Sequence, residues 1–177
     1  MALALGLAVA GTTLALHPDD SVGIGAVFGF GGGSGGGFFN PGISLKLPAA
    51  PIYWGIFALP IGKFGLGLTF DYYALSGNLL NRVLENEDGI YNLRLNGYLG
   101  IGGFASFFLG DASFVALGLR LPIGLSWPIV RQAELALGIV PGIGMSIGAG
   151  RPRFYGTLGG ELAIRYWFAP AANSRAE

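Results

Sequence analysis

The chain has no cysteine and a single histidine, His17. The first absence excludes a disulfide framework, thiolate zinc sites and a lipidated N-terminal cysteine. The second removes the usual proton carrier of hydrolysis and acyl transfer and a common metal ligand. His17 also sits at the N-terminal edge, before the segment expected to fold. An enzyme is therefore not expected, and neither a cofactor nor a metal is implied. Charge is scarce as well: Asp, Glu, Lys and Arg make up 11% of 177 residues, against about 25% in ordinary soluble domains. Ten basic and ten acidic residues cancel, leaving no electrostatic footprint for nucleic acid. The body of the chain also lacks an apolar run of about 20 residues, which excludes a helical membrane protein.

What is present is apolar and small. Hydrophobic residues reach 52%, and there are 33 glycines. A chain this apolar, without a spanning helix, must bury its surface in partners or cross lipid as a closed barrel. Only helices and closed barrels satisfy every backbone polar group in hydrocarbon.

The N-terminus stands apart. Met1 to Ala15 is almost wholly Ala, Leu, Val and Gly, too short to span a bilayer. It has the character of the apolar part of a secretory signal, with Ala8-Val9-Ala10 and Thr13-Leu14-Ala15 as candidate cleavage sites. No Lys or Arg precedes it. Residues 1–20 are expected to be a signal-peptide remnant or a disordered or interfacial tail. Residues 21–168 are the expected barrel, and 169–177 a soluble C-terminal tail.

From Ser21 onward the dominant period is two, that of a strand. Between Phe154 and Phe168 the even positions are mostly large and apolar, with Gly156 and Gly160 among them, and the odd positions include Thr157, Glu161, Ala163 and Arg165. Leu135, Leu137 and Ile139 alternate with Glu134, Ala136 and Gly138. Leu117, Leu119 and Leu121 alternate with Ala116, Gly118 and Arg120. Eight strands are expected, at roughly 22–31, 42–48, 52–59, 63–74, 90–104, 112–127, 132–147 and 153–168. Pro48 and Pro51 leave open a single kinked strand in place of the second and third, and 52–59 is apolar on both faces. Lengths near ten suit strands tilted across a bilayer, and an even count suits a single-chain bacterial barrel. The expected fold is all-β, an eight-stranded antiparallel up-and-down transmembrane β-barrel.

The face of Gly, Ala and Ser with scattered charges makes a poor water-facing surface but a good interior for a narrow barrel. Eight strands enclose a space that side chains just fill, and glycines there make room for long charged ones. The aliphatic face is thus expected to meet lipid. On it, Tyr72, Trp127, Tyr166 and Phe168 end strands running one way and Tyr91 begins one running back, which predicts an aromatic girdle at one rim. Segment 76–89 is expected to be a long loop on the side of the chain termini, and 31–40 a loop on the other. The Gly-rich stretch at 31–37 lacks the Lys-Ser/Thr and helix of a phosphate-binding loop. Six inward charges form the remaining constellation: Asp71, Arg94, Arg120, Glu134, Glu161 and Arg165, with Lys46 as a further candidate. Unpaired charges in a narrow interior are costly, so they are expected to pair.

With this pattern in hand, the chain resembles the small eight-stranded outer-membrane barrels of the OmpA-transmembrane, OmpX and OmpW type. Pro51-Ile52-Tyr53-Trp54-Gly55, Gly65 to Tyr73, Arg120 to Trp127 and Ile164-Arg165-Tyr166-Trp167-Phe168 also look close to a spirochaetal family of porin-like barrels. The resemblance spans most of 21–168. It implies a bacterial outer-membrane location, the lipid bilayer and the barrel-assembly machinery as partners, and an extracellular ligand or host molecule of unspecified kind. It carries over no catalytic residue. The functions it leaves are a structural or surface-interaction barrel with a plugged lumen, or a narrow channel or conduit for small or apolar solutes.

Overall fold

The computed structural model describes residues 21–33, 36–47, 52–59, 64–86, 89–110, 113–130, 132–148 and 151–168. The expected N-terminal signal and C-terminal tail lie outside them. Among the described residues, nine strands follow one another: β1 (Val22–Gly33), β2 (Gly36–Lys46), β3 (Ile52–Ala58), β4 (Phe64–Asn86), β5 (Gly89–Leu109), β6 (Phe114–Arg120), β7 (Ile123–Val130), β8 (Ala133–Gly148) and β9 (Arg153–Phe168).

β6 and β7 are one spanning strand. Both pair with β5 and with β8, and the register of Gly102 with Arg120 continues unbroken into that of Tyr98 with Gly124. The break between them is Leu121-Pro122, where proline has no N–H to give the ladder. The neighbouring bonds persist: Gly100 N–H donates to Pro122 O at 2.8 Å and Leu121 N–H to Pro141 O at 2.9 Å. The sheet therefore has eight spans, each antiparallel to the next, and it closes where β1 pairs with β9 from Val22–Phe168 to Gly32–Leu158. Closure leaves no sheet edge along the paired length. A circuit across the ladders starts at Gly23 and passes through Lys46, Tyr53, Asp71, Gly102, Arg120, Gly142 and Thr157. It returns to β1 level with Gly33, a stagger of ten residues. Such a stagger accompanies strands tilted by about 35–45°.

Alternation sorts the side chains cleanly. Val27, Ser44, Tyr53, Phe57, Thr69, Asp71, Tyr98, Ala116, Arg120, Glu134, Ala136, Ala163 and Arg165 are buried inside. Ile24, Ile43, Ile56, Leu68, Ile101, Leu119, Leu137, Ile143 and Ile164 stand exposed outside. β3, unorientable from its composition, turns Tyr53, Gly55 and Phe57 inward and Trp54 and Ile56 outward. Glycine is required where a ring crosses the lumen. A Cβ on Gly138 would lie 2.6 Å from the Tyr98 hydroxyl, and one on Gly144 2.8 Å from the Phe104 ring.

One open alternative is decided and two sequence expectations change. The prolines do not join the second and third spans: β2 and β3 are separate strands, with Lys46 opposite Tyr53. Segment 31–40 is not a loop; it belongs mostly to β1 and β2, with Gly33 opposite Gly36. Segment 76–89 is mostly strand, because β4 and β5 run on past the barrel as a two-stranded arm up to the Asn86–Gly89 pair. Neither β3 nor β7 reaches its outer part. Its Ser, Asn and Gly content reads as a loop, but a solvated ribbon needs only its own ladder to satisfy the backbone. The arm leaves on the same side as both ends of the described chain, Ser21 and Phe168.

Candidate functional site

The barrel interior divides into a filled half, on the side of the arm, and a chamber on the side of the β1–β2 and β5–β6 turns. At the bottom of the filled half lies Glu134, 0% exposed. One of its oxygens takes Arg165 Nη1 at 3.3 Å, and the other accepts the indole N–H of Trp167 at 2.8 Å. Arg165 also donates from Nε to Ser44 Oγ at 2.9 Å, and its guanidinium lies 5.0 Å from the Tyr53 ring centre. That ring begins a stack across the lumen: Tyr53 to Tyr73 at 4.2 Å, then Tyr73 to Tyr98 at 4.6 Å. Tyr73 faces inward two residues after Asp71, and a bulge then turns Leu75 outward, since Tyr73 and Ala74 together oppose Gly100 between the Tyr72–Ile101 and Leu75–Leu99 pairs. Such an extra residue at a rim re-aims a side chain. Buried Lys46 donates to Ser21 O at 3.2 Å at the same end.

A second cluster sits higher. Arg120 Nε lies 2.9 Å from an Asp71 oxygen, and Arg120 Nη2 lies 2.6 Å from Glu161. Glu161 is the accessible member, with 19% of its side chain exposed against 8% or less for the other two. Arg120 and Glu161 form the floor of a partly open cavity of about 360 Å³. Phe57, Leu59, Phe104, Phe108, Phe114, Val140 and Tyr155 give it apolar walls.

Five of the six inward charges expected from sequence are thus inside, in two clusters. Arg94 is not. It is exposed on β5, eight residues beyond Gly102, the partner of Asp71. That is about 26 Å along the strand at ~3.3 Å per residue. Its face is the inward one, but the strand has left the barrel there. Lys46 is inside, and Ser44, Tyr53, Tyr73 and Trp167 join the network. Sequence reasoning missed them because a lone Tyr or Trp on a Gly-rich face carries no pairing signal.

The aromatic girdle changes in the same way. Tyr72, Trp127, Tyr166 and Phe168 all point outward at the arm side, joined by Trp54 and Phe70. Tyr91 does not belong: it pairs with Leu84 on the arm, ten residues beyond Ile101, the partner of Tyr72. A second outward set, Phe30, Phe39, Phe64, Phe107 and Phe154, lies at the opposite end of the strands.

No protein-family model matches the chain, and no curated protein matches it in sequence. Among solved structures it is similar to Neisserial surface protein A, with 14% identity and a TM-score of 0.42, over 84% of this chain and 96% of that one. Among the described residues there is no cluster of metal-ligating side chains and no helix long and apolar enough to cross a membrane.

Proposed function

We propose that the chain is an integral protein of a bacterial outer membrane, a structural or surface-interaction barrel whose lumen is closed by its ion pairs and tyrosine stack. The observation that carries this is the outer face. From Phe154 to Tyr166, β9 presents large side chains on the exposed side, interrupted by Gly156 and Gly160. Twelve residues of strand cover about 40 Å. At a tilt near 40° that is roughly 30 Å of height, against an apolar band of about 25 Å in such barrels. Aromatic sets at both ends match the interfacial girdles of membrane barrels. A face this apolar is tolerated in water only when covered. On this reading the lipid bilayer covers it, the barrel-assembly machinery inserts it, and a ligand or host molecule meets it at the membrane surface. Catalysis forms no part of the proposal.

The chamber favours a second reading, a narrow conduit for small or apolar solutes. The clusters beneath it weigh against a continuous path.

Spin labels at positions 119 and 137, with exposed position 94 on the arm as the aqueous control, test the membrane reading. In bilayers, oxygen should relax the first two strongly and a water-soluble nickel complex should reach only the third. Nickel access at 119 and 137 would overturn it.

A further inference from the structure

The chamber has a chemical character of its own. Its walls carry several aromatic rings, and its floor carries Arg120 and Glu161, with Asp71 paired to Arg120 behind them. The carboxylate with accessible surface, Glu161, borders the cavity. A second acceptor borders it too: Asn40 Oδ1 is buried, with no hydrogen-bond partner among the described residues. A buried acceptor left unmatched costs about 1–3 kcal/mol, so a ligand that donates to it is favoured. Aromatic faces attract cations, and they do so more strongly where water is excluded. A volume of about 360 Å³ falls at the small end of ligand pockets, which run from about 300 to 1,000 Å³.

These features select by charge and by hydrogen-bonding sense. An anion would meet Glu161 and an unmatched amide oxygen, beside an Arg120 guanidinium already held by two carboxylates. A neutral hydrocarbon would leave the Asn40 oxygen unmet and set an apolar body against Glu161. An organic cation with N–H donors satisfies the carboxylate, the amide oxygen and the rings together. We propose that the chamber binds a compact organic ammonium ion, its apolar body among Phe57, Phe104 and Phe108 and its nitrogen donating to Glu161 and Asn40. Glu161 then serves two cations, Arg120 from the filled half and the ligand from the chamber. The inference goes beyond the membrane reading, because it depends on the interior alone.

Three probes of one shape decide it: 2-phenylethylammonium, 2-phenylethanol and phenylacetate. They are titrated at neutral pH into the full chain in nanodiscs of zwitterionic lipid, with empty nanodiscs subtracted. The ammonium should bind saturably at one site. The alcohol should bind about tenfold more weakly, and the carboxylate not measurably. Glu161→Gln should bring the ammonium to the level of the alcohol and leave the alcohol unchanged. Phe104→Leu, which leaves every ion pair intact, should weaken the ammonium severalfold more than the alcohol and serves if Glu161→Gln does not assemble. Equal affinities for ammonium and alcohol, no saturable ammonium site, or an ammonium affinity unmoved by the variants would each overturn the proposal.

Discussion

Trp167 donates its indole N–H to Glu134 at 2.8 Å, on the carboxylate oxygen opposite the one that accepts from Arg165. A fully buried carboxylate thus has a charged partner and a neutral one, and the two substitutions that test it differ. Glu134→Ala leaves Arg165 buried with only Ser44 and the Tyr53 ring and should cost about 3–5 kcal/mol. Glu134→Gln keeps an acceptor for Trp167 and should cost less. Denaturant unfolding of the reconstituted protein, followed by tryptophan fluorescence, measures both.

Gly138 is held small by Tyr98. A Cβ there would lie 2.6 Å from the hydroxyl, with the Ile123 carbonyl oxygen at 2.9 Å. Gly138→Ala should therefore destabilise the barrel by about 1–3 kcal/mol, as overpacking does. Tyr98→Phe in the same chain should recover part of that loss. A double-mutant cycle measured by urea unfolding gives the coupling, and additive losses would count against the contact.

Leu119 and Leu137 stand 59% and 52% exposed near the middle of their spans. In a bilayer, either one changed to Arg should cost about 2–4 kcal/mol. Leu79→Arg, on the arm, should change stability by less than about 0.5 kcal/mol. Unfolding titrations in lipid vesicles compare the three.

The spans were legible in the sequence because one period runs through them. In β9 the large residues fall on even positions and the small or charged ones on odd positions. Once the Gly-rich face is assigned inward, Asp71, Arg120, Glu134, Glu161 and Arg165 follow. The reasoning failed where the face persists and the barrel does not. Arg94 and Tyr91 keep their phase on β5, but their part of the strand pairs only within the arm. Alternation reports which side of a sheet a residue occupies and carries no information on whether that sheet has neighbours. Gly118 shows a second limit. Its alternation slot is inward and small, which suggests that a serine is tolerated. The Phe104 ring and the Ile143 carbonyl oxygen occupy the space where its Cβ would go.

The filled half predicts low permeability. With Arg165, Glu134 and the Tyr53–Tyr73–Tyr98 stack across the lumen, planar-bilayer recordings of the purified chain should lack the large, stable openings of wide porins. Such openings would favour the conduit reading.

The arm carries no span. Replacing residues 79–95 by a two-residue turn should leave the barrel heat-modifiable on electrophoresis. Its midpoint of unfolding should fall by no more than a few degrees, because the deleted residues pair among themselves.

Glu161, Arg165 and Trp167 all belong to β9, the final span, and their partners Arg120 and Glu134 come earlier in the chain. The hairpins joining successive spans are local and form early, whereas β9 must find β1 from the far end of the chain, a contact of the slowest kind. The Glu134–Arg165 pair lies within the β8–β9 hairpin and forms without that closure, whereas Arg165 meets Ser44 of β2 and the Tyr53 ring of β3 only when β1 and β9 pair. A sheet not yet closed leaves the Arg165 guanidinium with its carboxylate but without its hydroxyl and its aromatic face. Ring closure thereby completes the surroundings of a cation that its own hairpin has already neutralised.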